Sequence, residues 1–348
     1  MASEEQKLLI NMIEQFAKTE LENIAQKIEK EGLKRDLIKR LAELGLLAAT
    51  TPQSEGGSGI DRKSFSLILM ILAKYSPSVS YFTYLQNTLI SELLLKSKDK
   101  KEEFLKIASG EAYGTIVHDL YLNFNQEITL NNSRLYGTNN YVTLPDAELH
   151  LVLSRSGSSS HLIITKPNSV TFRRPLGLRG LSFGAASYDE EIKDEQKVLN
   201  EAESFLQNHL FETADQIAAI AIGMSEAAID KAIEYSKERK AFESYLYEFQ
   251  PISAVLIEIK GKIEELKKAL LLAESFQDKL SLKLNSLETA RIASRVALQI
   301  HGGYGYLEDL GVERYYRDSM HLSILTSNYL KEIKALSRDI ISPEAFKI

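Results

Sequence analysis

The stretch QIHGGYGYLEDL, residues 299–310, decides how the rest of the chain is read. Upstream, ETARIASRVALQI (288–300) carries the three- and four-residue apolar spacing of a helix, and downstream VERYYRDSMHLSIL (312–325) carries it again. Between them Gly302, Gly303 and Gly305 are interleaved with Tyr304 and Tyr306. Glycines this dense imply either a helix C-cap or a backbone that another group approaches closely.

Working outward, the 3.6-residue period predicts helices over 207–240, 251–280, 284–300 and 312–340, an antiparallel four-helix bundle. Before them the period changes. YGTIVH, QEITL, SRLYG, NYVTL, LHLVLS, HLIIT, SVTF and ASYDEEI are short, β-branched and separated by turn residues, predicting a small antiparallel β domain. Residues 3–110 are again helical in pattern, with Leu8, Met12, Phe16, Leu21 and Ile28 on one stripe, Gly32 as a stop and TPQSEGGSGID (51–61) as a loop. The expected fold is mainly α with a central β domain. It has an N-terminal helical domain (1–112), a middle β domain (113–197) and a C-terminal helical bundle (198–348).

Composition narrows the chemistry. The 348 residues are 44 % hydrophobic and 26 % charged, with a formal charge of −6, so no basic face invites nucleic acid or anionic lipid. There is no cysteine, which excludes thiol catalysis, disulfides and zinc–thiolate sites. The six histidines show no metal-ligand spacing. The N-terminus, MASEEQKLLINMIEQF, is acidic and helically patterned rather than signal-like, and no apolar run reaches membrane-spanning length. A cytoplasmic protein is expected.

Read together, the motifs resemble the flavin-dependent acyl-CoA dehydrogenase family. QIHGGYGY followed by VERYYRD, with ERKAFESYLYEFQ (238–250) upstream, is similar to the family's C-terminal domain. LAELGLLAATTPQSEGGSGID resembles its "Gl…PeeyGGxG" loop, IASGEAYG its "GexxG", LYGTNNYVT its "lnGxKxwIT" and LGLRGLSF its "GlRgs" turn. The resemblance spans almost the whole chain. It implies FAD as cofactor, an acyl-CoA substrate, an electron-transfer acceptor, a homodimer or homotetramer, and a place in fatty acid metabolism.

Residue by residue, the resemblance implies that Gly302 and Gly303 admit the ADP half of the cofactor, with Gln299 supplying an amide. Arg239 pairs with pyrophosphate, Phe242 packs against the cofactor, and Gln250 follows at the family's spacing. An Arg fork suits phosphate because it donates two parallel hydrogen bonds. Tyr141, at a position usually tryptophan, and Thr143 lie against the flavin ring. Asn328 takes a cofactor-contacting position. Ala241 stands where a hydroxyl residue is common. Glu243 replaces a usual glycine and sets a carboxylate near a phosphate site.

Two departures concern the chemistry. Family members take the α proton with a carboxylate while the β hydrogen leaves as hydride. Here HLSILTSNYLKEI puts Leu325, Thr326, Ser327 and Asn328 where Tyr, Glu, Gly and Thr are usual, and an unactivated threonine hydroxyl is no base near neutral pH. Some members carry the base before an "aaGxxG" stretch. Counting back from Gly223 gives Thr213, with Ala214 for the usual arginine and Glu212 one residue away, the candidate base if the helix slips. Second, TIVHDLYLNFNQ (115–126) replaces the family's "TEPxAGSD", leaving His118 and Asp119 near the expected site. Two functions stay open: an acyl-CoA dehydrogenase with a relocated base, or a non-catalytic or flavin-binding subunit partnered by a related catalytic chain. Broad apolar faces in ISAVLIEI (252–259) and ALLLAESF (269–276) predict oligomerisation.

Overall fold

The computed structural model describes residues 4–121 and 128–342. Residues 122–126 of the segment that departs from the family pattern lie outside them. The predicted first helix is α1 (Glu4–Phe16) and α2 (Glu22–Glu31), joined by a π turn at Ala17–Leu21 and stopped by Gly32 at φ 78°. After α3 (Arg35–Glu43), Asp61 caps α4 (Arg62–Tyr75) by accepting from the Ser64 amide at 3.0 Å. Ser76 with Pro77 opens α5 (Pro77–Tyr84), which runs through a second π turn into the short α6 (Glu92–Leu94). Helix α7 (Lys101–Ala108) ends the helical run.

Eight strands follow: β1 (Gly114–Val117), β2 (Thr129–Asn131), β3 (Arg134–Thr143), β4 (Leu149–Ser156), β5 (Ser159–Thr165), β6 (Ser169–Phe172), β7 (Phe183–Glu191) and β8 (Lys197–Asn200). They lie in the order β6-β7-β3-β2-β4-β5-β8, with β1 attached to β4. The sheet is mostly antiparallel, as the pattern predicted. Two joints differ, because β1 and β2 both pair parallel to β4. A bulge in β3 between Asn139 and Val142 frees Tyr141 from the register, and its amide bonds the Asn139 side chain instead, at 2.9 Å.

The C-terminal part is α8 (Ala202–Glu212), α9 (Ala214–Glu238), a two-strand hairpin of β9 (Lys240–Ala241) and β10 (Ser244–Tyr245), α10 (Gln250–Leu272), α11 (Phe276–His301), α12 (Glu313–Thr326) and α13 (Tyr329–Ile340). Its breaks differ from the periodic reading. Ser275 and Asp278 form a reciprocal capping box that restarts the chain as α11 inside the expected 251–280 helix. Asn328 caps α13 and splits the expected 312–340 helix. Helix α9 is the centre of the molecule: every residue from Ala214 to Ile229 is buried, with α11 and α4 its main neighbours. No helix among the described residues is long and apolar enough to cross a membrane.

Candidate cofactor and acyl site

The opening glycines have different reasons to be glycine. Gly302 is the C-cap of α11 at φ 58°, and a Cβ on Gly305 would lie 2.6 Å from the Leu298 carbonyl oxygen. Gly303 has neither constraint. Its φ is ordinary for any residue and a Cβ there would meet nothing within 4 Å, so its backbone faces open space. That space is a cleft of about 420 Å³ lined by Arg239, Gly302, Gly303 and Tyr304, with Tyr235 and His301 stacked at 4.4 Å in its wall. Arg239 ends α9, and its carbonyl accepts from the Leu246 amide at 2.9 Å, folding the hairpin back beside the glycines. Two segments some 60 residues apart thus meet at one cleft.

The other expected cofactor residues fall elsewhere. Gln250 and Gln299 are exposed and do not line this cleft, and Phe242 stands 94 % exposed at the hairpin tip. Tyr141 packs 6.5 Å from Phe183, whose ring meets His321 of α12 edge-on at 5.3 Å. Thr143 is nearly buried, and its carbonyl accepts from the Thr115 hydroxyl. Asn328 is buried; its side chain accepts from the Lys331 amide and donates to the Tyr121 carbonyl. Within one chain these groups do not share the cleft of Arg239.

At the base positions the geometry is closed. Glu212, the sequence candidate, is the last residue of α8; it is exposed and pairs with Lys279 at 3.2 Å. The helix breaks directly after it, so Thr213 turns inward instead, fully buried. Glu212 is therefore not delivered to the interior. The Thr213 hydroxyl donates to the His209 carbonyl at 2.8 Å and is a hydrogen-bond partner of the buried Tyr84 phenol, which burial pushes up. Thr326 is also buried, its hydroxyl donating to the Leu322 carbonyl at 2.7 Å. Its own carbonyl takes the ammonium of Lys283.

Lys283 is the residue that sequence reasoning missed. It sits on α11 with no exposed side-chain surface, 2.6 Å from Glu332 of α13, which is equally buried. Its ammonium lies 4.8 Å over the Tyr121 ring, and Tyr121 in turn is within electrostatic reach of Tyr84, Tyr81 and Glu332. Burial pulls the Lys283 ammonium below its usual range, with Glu332 opposing. The cavity beside this group is bounded by Tyr121, Leu210, Phe211, Asn328, Lys331 and Glu332 and holds about 10 Å³, at most about one water. Lys331 closes its rim by donating to the Leu120 carbonyl at 3.0 Å. His118 lies in the adjoining turn, with its ring nitrogen accepting the Leu120 amide; burial pushes its imidazole down to about 4. Asp119 instead faces Arg155, 2.9 Å away.

Comparison with known proteins agrees with the fold. Residues 3–111 match the model of the acyl-CoA dehydrogenase N-terminal domain, and residues 206–333 that of the acyl-CoA dehydrogenase C-terminal domain. The chain belongs to the acyl-CoA dehydrogenase family. It is 28 % identical to the caffeyl-CoA reductase-Etf complex subunit CarC of Acetobacterium woodii, over 91 % of this chain and 93 % of that one. It is 25 % identical to a 3-(aryl)acrylate reductase of Clostridium sporogenes, over 92 % and 94 %. The structure of butyryl-CoA dehydrogenase from Megasphaera elsdenii superposes with a TM-score of 0.87 at 22 % identity, covering 98 % of this chain and 99 % of that one.

Proposed function

We propose that this chain is a flavin-binding subunit of the family that does not itself take the α proton of an acyl-CoA, and that it works beside a related chain that does. The observation carrying this reading is that Thr326 and Thr213, at the two base positions, are both buried and hydrogen-bonded. Tyr84 meets Thr213, Lys283 of the Lys283–Glu332 pair meets the Thr326 carbonyl, and the cavity beside that pair holds only about 10 Å³.

FAD fits the residues present. An Arg239 fork with no ion-pair partner among the described residues, beside the open backbone of Gly302 and Gly303, suits a pyrophosphate. Bound there, FAD supplies a hydride or electron acceptor. Because Tyr141, Thr143 and Asn328 lie apart from this cleft, the reading requires two chains, one giving Arg239 and the glycines, its partner the ring-side residues. Exposed Ile257, Leu271 and Leu272 on α10, at 72 %, 48 % and 75 %, support a dimer or dimer of dimers. Relatives named as reductases, one as part of an Etf complex, support a partner that exchanges electrons.

The alternative, an acyl-CoA dehydrogenase acting alone, draws on one feature. Glu332 is a carboxylate lining the small cavity near Thr326. It is already bound to Lys283 and Ser327, which disfavours it as a base.

The test is an absorbance spectrum of the purified protein after reconstitution with FAD, followed by anaerobic titration with short-, medium- and long-chain acyl-CoAs. A bound flavin that no acyl-CoA bleaches is the expected result. Bleaching by any of them would establish a self-sufficient dehydrogenase, and failure to retain FAD would leave a scaffold subunit.

A further inference from the structure

A second cleft, of about 570 Å³, opens where α2, the sheet and the start of α12 meet, at the opposite end of α12 from Thr326. Clefts of this size at junctions between structural units are where small ligands bind most often. Six basic and three acidic side chains line it. The acids are committed. Glu29 and Glu313 both hold Arg317, at 3.3 and 3.0 Å, and Glu308 lies 3.6 Å from Arg179 with 59 % of its side chain in solvent. Lys30, Arg173 and Arg174 take part in no ion pair among the described residues.

We propose that this cleft binds a nucleoside diphosphate, with Lys30, Arg174 and Arg179 holding the phosphates and Phe172 stacking on the base. Several features carry the assignment. Arg314 forms part of the wall, nearly wholly buried, bonded to the Tyr75 carbonyl at 3.0 Å and with its Nε unpartnered, so the wall has a fixed positive charge. Burial first, then Arg317 and Arg174, hold the Arg179 guanidinium below its usual range, a crowding of like charges that a bound anion relieves. Planar guanidinium forks match phosphate oxygens two at a time. Phe172, 59 % exposed on the edge strand β6, adds a flat apolar face at the rim, which a bare phosphate does not need but a base does.

The same chemical group comes from free ADP or from the ADP end of coenzyme A, and the experiment separates them. Calorimetric titrations of the full-length, FAD-saturated protein use ADP, coenzyme A and inorganic pyrophosphate in turn. ADP binding is expected, weakened about tenfold or more by Arg174→Gln with Arg179→Gln, and unchanged by Arg134→Gln, at an exposed arginine that lines neither cleft. Arg174→Gln alone, at an exposed and unpaired side chain, serves if the double variant does not fold. Phe172→Ala is expected to weaken ADP while sparing pyrophosphate. Tighter binding of coenzyme A than of ADP assigns the site to the coenzyme, and equal binding to the free nucleotide. The proposal is overturned by no detectable ADP binding at millimolar concentration, by an affinity the arginine variants leave unchanged, or by binding of polyglutamate in place of ADP, which assigns the cleft to an acidic protein.

Discussion

Lys283 and Glu332 form a 2.6 Å ion pair in which neither side chain reaches solvent. The pair ties α11 to α13, and through the Thr326 carbonyl it fixes the end of α12 as well. Removing one partner leaves an uncompensated buried charge, which costs about 3–5 kcal/mol, whereas replacing both with apolar side chains of similar volume costs far less. Lys283→Met and Glu332→Leu are each expected to lose stability on that scale in urea denaturation. The double variant should recover most of it, and strictly additive losses would mean the two do not act as a unit.

Packing of α9 on α4 supplies a second prediction. A Cβ on Gly223 would fall 2.2 Å from the Met70 carbonyl oxygen and 3.0 Å from the Ala73 Cβ, and α4 backbone cannot step aside without parting the two helices. Gly223→Ala is expected to destabilise the fold by about 1–3 kcal/mol or more despite alanine's better helix propensity. Thermal unfolding checks it; a Tm at or above the wild type would show that the helices are looser than the geometry implies.

Acid sensitivity is expected from His150. It is fully buried, its ring nitrogen lies 2.7 Å from the Tyr188 hydroxyl, and burial pulls it down to about 4, against the opposing pull of the Pro145 and Ala147 carbonyls. In the unfolded chain it titrates near ~6.5. Between those values the unfolded state binds a proton that the folded state refuses, so stability rises with pH and is lost as pH falls from about 6.5 toward 4. His118 adds to the same slope. His150→Gln should flatten the dependence of unfolding free energy on pH across that window, most clearly in combination with His118→Gln. An unaltered slope would place the acid sensitivity elsewhere.

Some of this was legible in the sequence and some was not, for identifiable reasons. The apolar stripe of residues 8–28 and the β-branched runs from 114 onward reveal helices and strands because each depends on neighbours within a few residues. The breaks before Phe276 and Tyr329 were hidden, since S-x-x-D and an asparagine cap also occur in helix interiors. The parallel joint of β1 with β4 depends on contacts about 35 residues apart and leaves no local pattern. At the site, Arg239 and the glycines declared themselves through motifs, and the structure brings them to one cleft. Lys283 and Glu332 look like solvated helix charges because nothing in either segment announces a partner 49 residues away. Glu212 differs for a smaller reason: the helix ends on it, so the next residue, Thr213, turns inward.

The hairpin beside Arg239 carries the last prediction. Phe242 and Glu243 occupy the two central positions of the turn between β9 and β10, at φ 50° and 68°. Both are left-handed, a type I′ turn that ordinarily selects Asn-Gly, and each non-glycine residue there costs roughly 1–2 kcal/mol. Glu243, four residues after Arg239, also adds a negative charge to the hairpin that folds beside the proposed pyrophosphate site. Glu243→Gly therefore removes a strain and a repulsion at once. It is expected to stabilise the protein by about 1 kcal/mol and to tighten FAD, with the gain shrinking as salt screens the charge. Phe242→Ala keeps the strained backbone and removes a side chain that stands outside the cleft, so it should neither stabilise the fold nor change FAD affinity. Quenching of FAD fluorescence on titration with each variant reads the binding, and urea denaturation reads the stability. A Glu243→Gly protein that is more stable but binds FAD as the wild type does would separate the hairpin from the cofactor's phosphates.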